Sequence, residues 1–140
     1  MNYLLDTCVL SEFTRPEPDT GVVEWLDATP ERHLFISVLT LGEIQYGISR
    51  LAPGKRKQSL QGWLDDELTT RFQGRILPVD DRTALRWGEL RCLTAEQGLT
   101  LPVIDGLLAS QAVLGSMTFV TRNVQDFEKV PGLQVANPWG

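Results

Sequence analysis

Histidine is nearly missing from this chain: His33 is the only one among 140 residues. A pair of imidazoles working as base and acid on an RNA 2′-hydroxyl is therefore excluded, and so is a histidine-rich zinc centre. His33 itself precedes an apolar run and reads as a polar residue at a strand entrance. Cysteine is almost as scarce. Cys8 and Cys92 stand alone without CxxC spacing, so neither a disulfide framework nor a thiolate metal site is expected, and both read as small apolar residues. No apolar run approaches the ~18 residues of a membrane span. Asp6 interrupts the apolar start, which also lacks the basic flank and cleavage pattern of a secretory leader, so the expected location is cytoplasmic, away from membranes. There is no G-x-S-x-G elbow and no Gly-rich phosphate loop. Positive charge is in deficit too, with 13 Lys and Arg against 18 Asp and Glu and a net charge of −5. Proteins that touch nucleic acid normally present a basic surface, so here such contact falls to local patches or to a basic partner protein.

With 42% hydrophobic and 22% charged residues, the composition is that of a globular protein, and the length suits a single domain over residues 1–140. Short apolar runs without helical spacing at residues 3–5, 34–36, 76–79 and 118–121 predict strands, and 133–136 a short fifth. Between them lie a short helix at 7–13, a helix capped at Asp19 or Thr20 and closed by Thr29-Pro30, and an amphipathic stretch at 38–51. A long segment follows from the basic run Lys55, Arg56 and Lys57 to Phe72. A helix opened by Asp80 and Asp81 carries Leu85, Leu90 and Leu93, and another at 103–114 is apolar almost all round. Strands alternating with helices predict an α/β fold, a central, mostly parallel sheet of four to five strands with helices on both faces.

Three acids sit in apolar surroundings: Asp6 in YLLDTCVL, Glu43 in LTLGEIQYG and Asp105 in PVIDGLLA. Removing an ionised carboxylate from water costs several kcal/mol unless a cation, N–H donors or a raised pKa compensates. Asp105 shares a helix side with Leu108, Ala109 and Ala112, whereas Glu43 lies off the apolar stripe beside Leu39, Tyr46 and Gly47. Taken singly, Asp6 and Asp105 read as helix caps and Glu43 as an exposed acid. Taken together, they fall on one edge of the predicted sheet, and two unit charges 4 Å apart repel by about 4 kcal/mol at an effective dielectric of 20. A divalent cation removes that repulsion. Oxygen-only ligation favours Mg²⁺ or Mn²⁺, and such a site suggests phosphoryl chemistry with a metal-activated water. All three acids are expected on one ion, and at least one should titrate high through like-charge repulsion. Asn123 closes the predicted fourth strand, in TFVTRNVQDF. Asn123 and Asp126 read equally as site groups or as a cap and a surface acid, and the basic run at 55–57 as a phosphate contact or a solvated loop.

These segments in order, LLDTCVLSE, ISVLTLGEIQYGI, the GKRK loop, GRILPVD, LPVIDGLLASQA, FVTRNVQDF and NPW, resemble the PIN domain. More closely, they resemble the VapC-type toxins of bacterial type II toxin–antitoxin pairs, the FitB-like group included. The resemblance implies an endoribonuclease dependent on Mg²⁺ or Mn²⁺, with Asp6, Glu43 and Asp105 as metal ligands. Asn123 would join them in catalysis, with Thr7, Thr121 and Asp126 as auxiliary groups. It also implies a homodimer, a VapB-type antitoxin, a heterotetramer or larger assembly with it, and operator DNA contacted only through the antitoxin. A basic side chain from that partner would enter the acidic crevice, beside apolar surface from Leu39, Tyr46 and the Trp25 helix. The chain departs from the family at Cys8, where Asn is common, at Gly106, where Ala is common, and at Asn123, where some members carry a fourth acid. A neutral amide holds a second cation weakly, so one ion is expected. Two other readings compete. A haloacid-dehalogenase-type phosphatase needs an acid where Cys8 stands, and a catalytically inactive PIN-like scaffold binding RNA or protein would have no need of all three acids.

Overall fold

The computed structural model describes residues 1–140. Its centre is β1 (Tyr3–Leu5), flanked by β2 (Leu34–Ser37) and β4 (Thr118–Val120), with β3 (Ile76–Leu77) and β5 (Gln134–Ala136) outside them in the order β3-β2-β1-β4-β5. Every pairing is parallel, with Tyr3 opposite both Leu34 and Thr118, so all strand ends point at one edge. Parallel neighbours require crossover helices, and each crossover begins at that carboxyl edge. There lie the starts of α1 (Thr7–Glu12), α3 (Val38–Ser49), α7 (Val103–Leu114) and α8 (Val124–Phe127). The remaining helices are α2 (Thr20–Ala28), α4 (Lys55–Gly62), α5 (Thr69–Arg71) and α6 (Asp81–Glu96).

Alternation along the strands divides the core between the two faces of the sheet. Leu5, Ile36 and Val120 face α1, α2, α3 and the 64–72 segment, joining Leu10, Ile48, Leu68 and Phe72. Leu4 and Phe119 face the other way, onto Leu108 and Ala112 of α7 and Phe127 of α8. Leu4 and Leu5 are fully buried, and burial of one such side chain contributes ~1.5–3 kcal/mol, so β1 anchors both layers.

Several elements differ from the pattern in the sequence. β3 stops at Leu77 because Pro78 has no N–H to continue the ladder. The long amphipathic segment from 55 to 72 contains a π-helical turn, Trp63–Leu68, within which Leu64 and Leu68 are buried. The stripe expected on α3 is incomplete: only Ile48 of its apolar residues is buried, and Val38 is 38% exposed. On α6, Leu90 is buried but Leu85 is 71% exposed and Leu93 is exposed as well. That helix packs on α7 rather than on the sheet, and threonines Thr83 and Thr94 complete its narrow buried side.

Candidate active site

Asp6 follows β1 directly and caps α1. Its amide extends the β1–β4 ladder by donating to Val120 O at 2.9 Å, which fixes the backbone before the side chain is placed. Oδ1 accepts the Thr7 N–H at 2.8 Å and Oδ2 accepts the Thr121 hydroxyl at 2.7 Å. The residue is 8% exposed, and Thr121, just beyond β4, is fully buried. Thr7 also links Asp6 to Glu43: its amide serves Asp6 and its hydroxyl donates to Glu43 Oε1 at 2.9 Å. Glu43 projects from α3 into solvent, with its carboxylate partly desolvated against this turn. Asp105 occupies the first turn of α7, half-buried and without a hydrogen-bond partner.

The three carboxylates feel one another. Burial raises Asp6 above its ordinary value, opposed by the Thr121 and Thr7 hydrogen bonds and reinforced by the charge of Asp126. Burial also raises Glu43, and Asp6 adds to it. Asp105 is raised by burial first and then by Asp6, Asp126 and Glu43, with Lys129 giving partial relief. The direction agrees with the expectation from the sequence, but the leading cause is desolvation and like-charge repulsion comes second.

Asp126, exposed on α8, is thus close enough to act on two of the three acids. The strand-end position expected for Asn123 is taken by Thr121, because β4 closes at Val120. Asn123 contributes through its backbone, whose N–H donates to Thr121 Oγ1 at 3.0 Å; its exposed side chain makes no hydrogen bond.

The donor chemistry, carboxylate and hydroxyl oxygen without imidazole, fits a hard divalent cation. No group of three or more His, Cys, Asp or Glu side chains is gathered tightly enough to ligate an ion without water. Mg²⁺ normally keeps several waters and is held by one or two carboxylates, a mode that this spacing suits.

Cys8, expected to be plain packing, lies inside the site. Its Sγ is 3.8 Å from both Asp6 Oδ2 and Thr121 Oγ1 and accepts the Arg122 N–H at 3.5 Å, while burial pushes the thiol pKa up. Its position one residue after Thr7, in the turn that carries Asp6, was the available signal. Beside Glu43 a groove of about 400 Å³ opens between α1, α3 and α4, lined by Thr7, Arg15, Arg56, Leu60 and Trp63 among others. A second hollow of about 460 Å³ shares Arg56 and Trp63 and adds Lys55. Lys57 lines neither, and its Nζ donates to Ser49 O and Leu51 O at the end of α3. Tyr46 is 65% exposed as expected, whereas Trp25 is turned inward and packs edge-on against Tyr3 at 5.0 Å. Leu39 likewise packs against the core. His33 pairs with Asn2 at 2.9 Å, at the entrance to the strands and on the side away from the acids.

A five-stranded parallel sheet whose carboxyl edge holds mutually coupled acids defines the class, and residues 3–133 match the PIN domain, the family to which this chain belongs. Among its relatives is the VapC ribonuclease Y4jK of Sinorhizobium fredii, 33% identical over 136 residues that span 97% of this chain and 96% of that protein. Toxin FitB of Neisseria gonorrhoeae is 35% identical over 136 residues, 97% of each chain. A solved structure of FitAB bound to an IR36 DNA fragment superimposes with a TM-score of 0.92, at 35% identity, over 99% of this chain and 96% of that one. No helix here is long and apolar enough to cross a membrane.

Proposed function

We propose that this protein is a VapC-type endoribonuclease toxin, dependent on Mg²⁺ or Mn²⁺ and restrained by a small VapB-type antitoxin. The observation that carries the reading is the electrostatic coupling of Asp6, Glu43 and Asp105 at the carboxyl edge, where each acid is harder to ionise than in water and a cation would relieve all three. The ribonuclease and toxin names of the relatives support it. A divalent cation held by Asp6, Glu43 and Asp105 would polarise a phosphodiester and supply an activated water at neutral pH. The chain's own part is positional. Asp6, fixed by Thr7 and Thr121, gives the best-ordered ligand, and Glu43 and Asp105 complete the set directly or through water. Asp126 adds negative charge from α8, while Asn123 orients a water or phosphate oxygen. A neutral amide there leaves one ion in the free protein.

The groove between α1, α3 and α4 suits an antitoxin segment. It offers apolar walls from Leu60 and Trp63 and ends at the Glu43 carboxylate, where a basic side chain from the partner would be neutralised. Exposed Leu85 and Leu93 on α6, with Val103 and Ile104 on α7, supply apolar surface for a homodimer. The test is cleavage of a mixed RNA pool with and without Mg²⁺ or Mn²⁺. The expected outcome is metal-dependent cutting that Asp6→Ala reduces by at least about 100-fold, a loss typical of a group that stabilises transition-state charge. RNA binding indifferent to metal and to this substitution would instead identify a scaffold.

A further inference from the structure

Arg122 is a cation beside an acidic cluster, yet it neutralises none of it. It sits one residue beyond Thr121, the hydroxyl that holds Asp6, and its backbone N–H donates to Cys8 Sγ in the same turn. The ion pairs of the structure involve Arg15, Arg71, Arg75 and Arg86, and Arg122 belongs to none. Arg122 is not among the leading influences on the Asp6 and Asp105 carboxyls. Its guanidinium lies instead over the indole of Trp139, 4.9 Å from the ring centroid.

The ring is held firmly. Trp139 packs against the larger core cluster, its Nε1 is buried, and its amide donates to Asn137 Oδ1 at 2.9 Å. Residues 138–140 press so closely on α2 that a Cβ at Gly21 would stand 2.5 Å from Pro138 O and 2.7 Å from Gly140 N. An unrestrained arginine at this position would swing onto the nearest carboxylate, because a guanidinium and a carboxylate form a bidentate pair. That pairing would occupy the ligand set from inside. Stacking on a fixed indole keeps the cation charged, exposed and off the acids, and leaves its N–H donors free for a phosphate.

We propose that Arg122 contacts an RNA phosphate next to the scissile bond, on the side of the acids opposite the Arg56 groove, and that Trp139 is the positioning residue that holds it there. The inference rests on the ribonuclease reading above and adds a substrate contact on the β4 side of the site. A single strand would then cross the acids with cations on both flanks, Arg56 beyond Glu43 and Arg122 beyond Asp6.

The experiment is equilibrium binding of a fluorescent, mixed-sequence single-stranded RNA to the full chain in EDTA, across a salt series, for wild type, Arg122→Gln, Trp139→Ala, Trp139→Phe and the Arg122→Gln/Trp139→Ala double variant. Loss of one phosphate contact should weaken binding about fivefold near 0.1 M salt and lower the slope of log K against log salt by ~0.7. Trp139→Ala should reproduce that loss, Trp139→Phe should restore it, and the double variant should bind no worse than Arg122→Gln. With the metal restored, KM should rise while kcat holds. Wild-type affinity and salt slope in Arg122→Gln would overturn the inference alone. Additive losses in the double variant would overturn the role given to Trp139. A wild-type protein that bound no RNA in EDTA but cut it with Mn²⁺ present would overturn this inference alone, and one that neither bound nor cut RNA with Mn²⁺ present would overturn the ribonuclease reading as well. Arg122 is exposed, so its substitution tests the contact even where Trp139→Ala unfolds the chain.

Discussion

Asp6 and Asp105 are alike in sequence context but differ in what the fold gives them. The Asp6 carboxylate accepts hydrogen bonds from the Thr7 amide, the Thr121 hydroxyl and, at longer range, the Cys8 thiol, and Asp105 receives none. Both are raised above the ordinary value of 3.8, so the folded state keeps the proton to a higher pH than the unfolded chain does. The sign follows by linkage: stability falls as pH rises from about 3.8 through the raised folded value, and the penalty is constant above it. Asp105→Asn, which removes charge without breaking a hydrogen bond, should therefore stabilise the metal-free protein at pH 7. The expected rise in melting temperature is roughly 2 °C, discounted for partial exposure, and should vanish below pH ~3.8. Melting curves between pH 3 and 8 check this, and added Mn²⁺ should raise the wild-type Tm more than that of the variant. At this scale the acids were legible in the sequence because a carboxylate in an apolar run has a cost that composition reveals. The Arg122–Trp139 stack was not. Its meaning depends on which distant groups the fold brings together, and no local pattern encodes that.

Among the elements, α6 and α7 meet at Gly106. A Cβ there would lie 2.7 Å from Trp87 Cδ1, 2.9 Å from Trp87 Nε1 and 3.1 Å from Leu101 Cδ2. The absence of a side chain is thus what lets the first turn of α7, and Asp105 with it, approach α6. An alanine gains ~1 kcal/mol of helix propensity and loses ~1–3 kcal/mol to overpacking against a rigid ring. Gly106→Ala should lower the urea midpoint, and Trp87→Leu in that background should recover most of the loss. Trp87→Phe forfeits no hydrogen bond, since the buried Nε1 has no partner. The sequence marked Gly106 as a departure but not its purpose, because the contact is with a residue on another helix. Element order and type were readable from period and punctuation, and Gly74 and Gly98, at φ 81° and 75°, end their segments as glycines do. The π-helical turn at Trp63–Leu68 was hidden, for it uses the same apolar residues that a regular helix would.

Taken whole, the molecule closes around its first strand, which pairs with β2 on one side and with β4 on the other. Tyr3 lies opposite Thr118, so 115 residues (118 − 3) must be added after Tyr3 is made before that pairing can form. At about 5–20 residues per second this delay is roughly 6–23 s. Through that interval Asp6 has its Thr7 amide but lacks the Thr121 hydroxyl, and Phe119 and Val120 are missing from both core layers. A chain still being translated therefore has no assembled acidic centre, whatever RNA surrounds it, including the message and the ribosome that are producing it. Ribosome-stalled chains of increasing length should stay protease-sensitive and unable to cut RNA until residues 118–121 have left the exit tunnel, with protection and cleavage then arising together. On the ribonuclease reading, such a sheet withholds activity until its last strands dock, and that interval is the time in which an antitoxin can reach the chain.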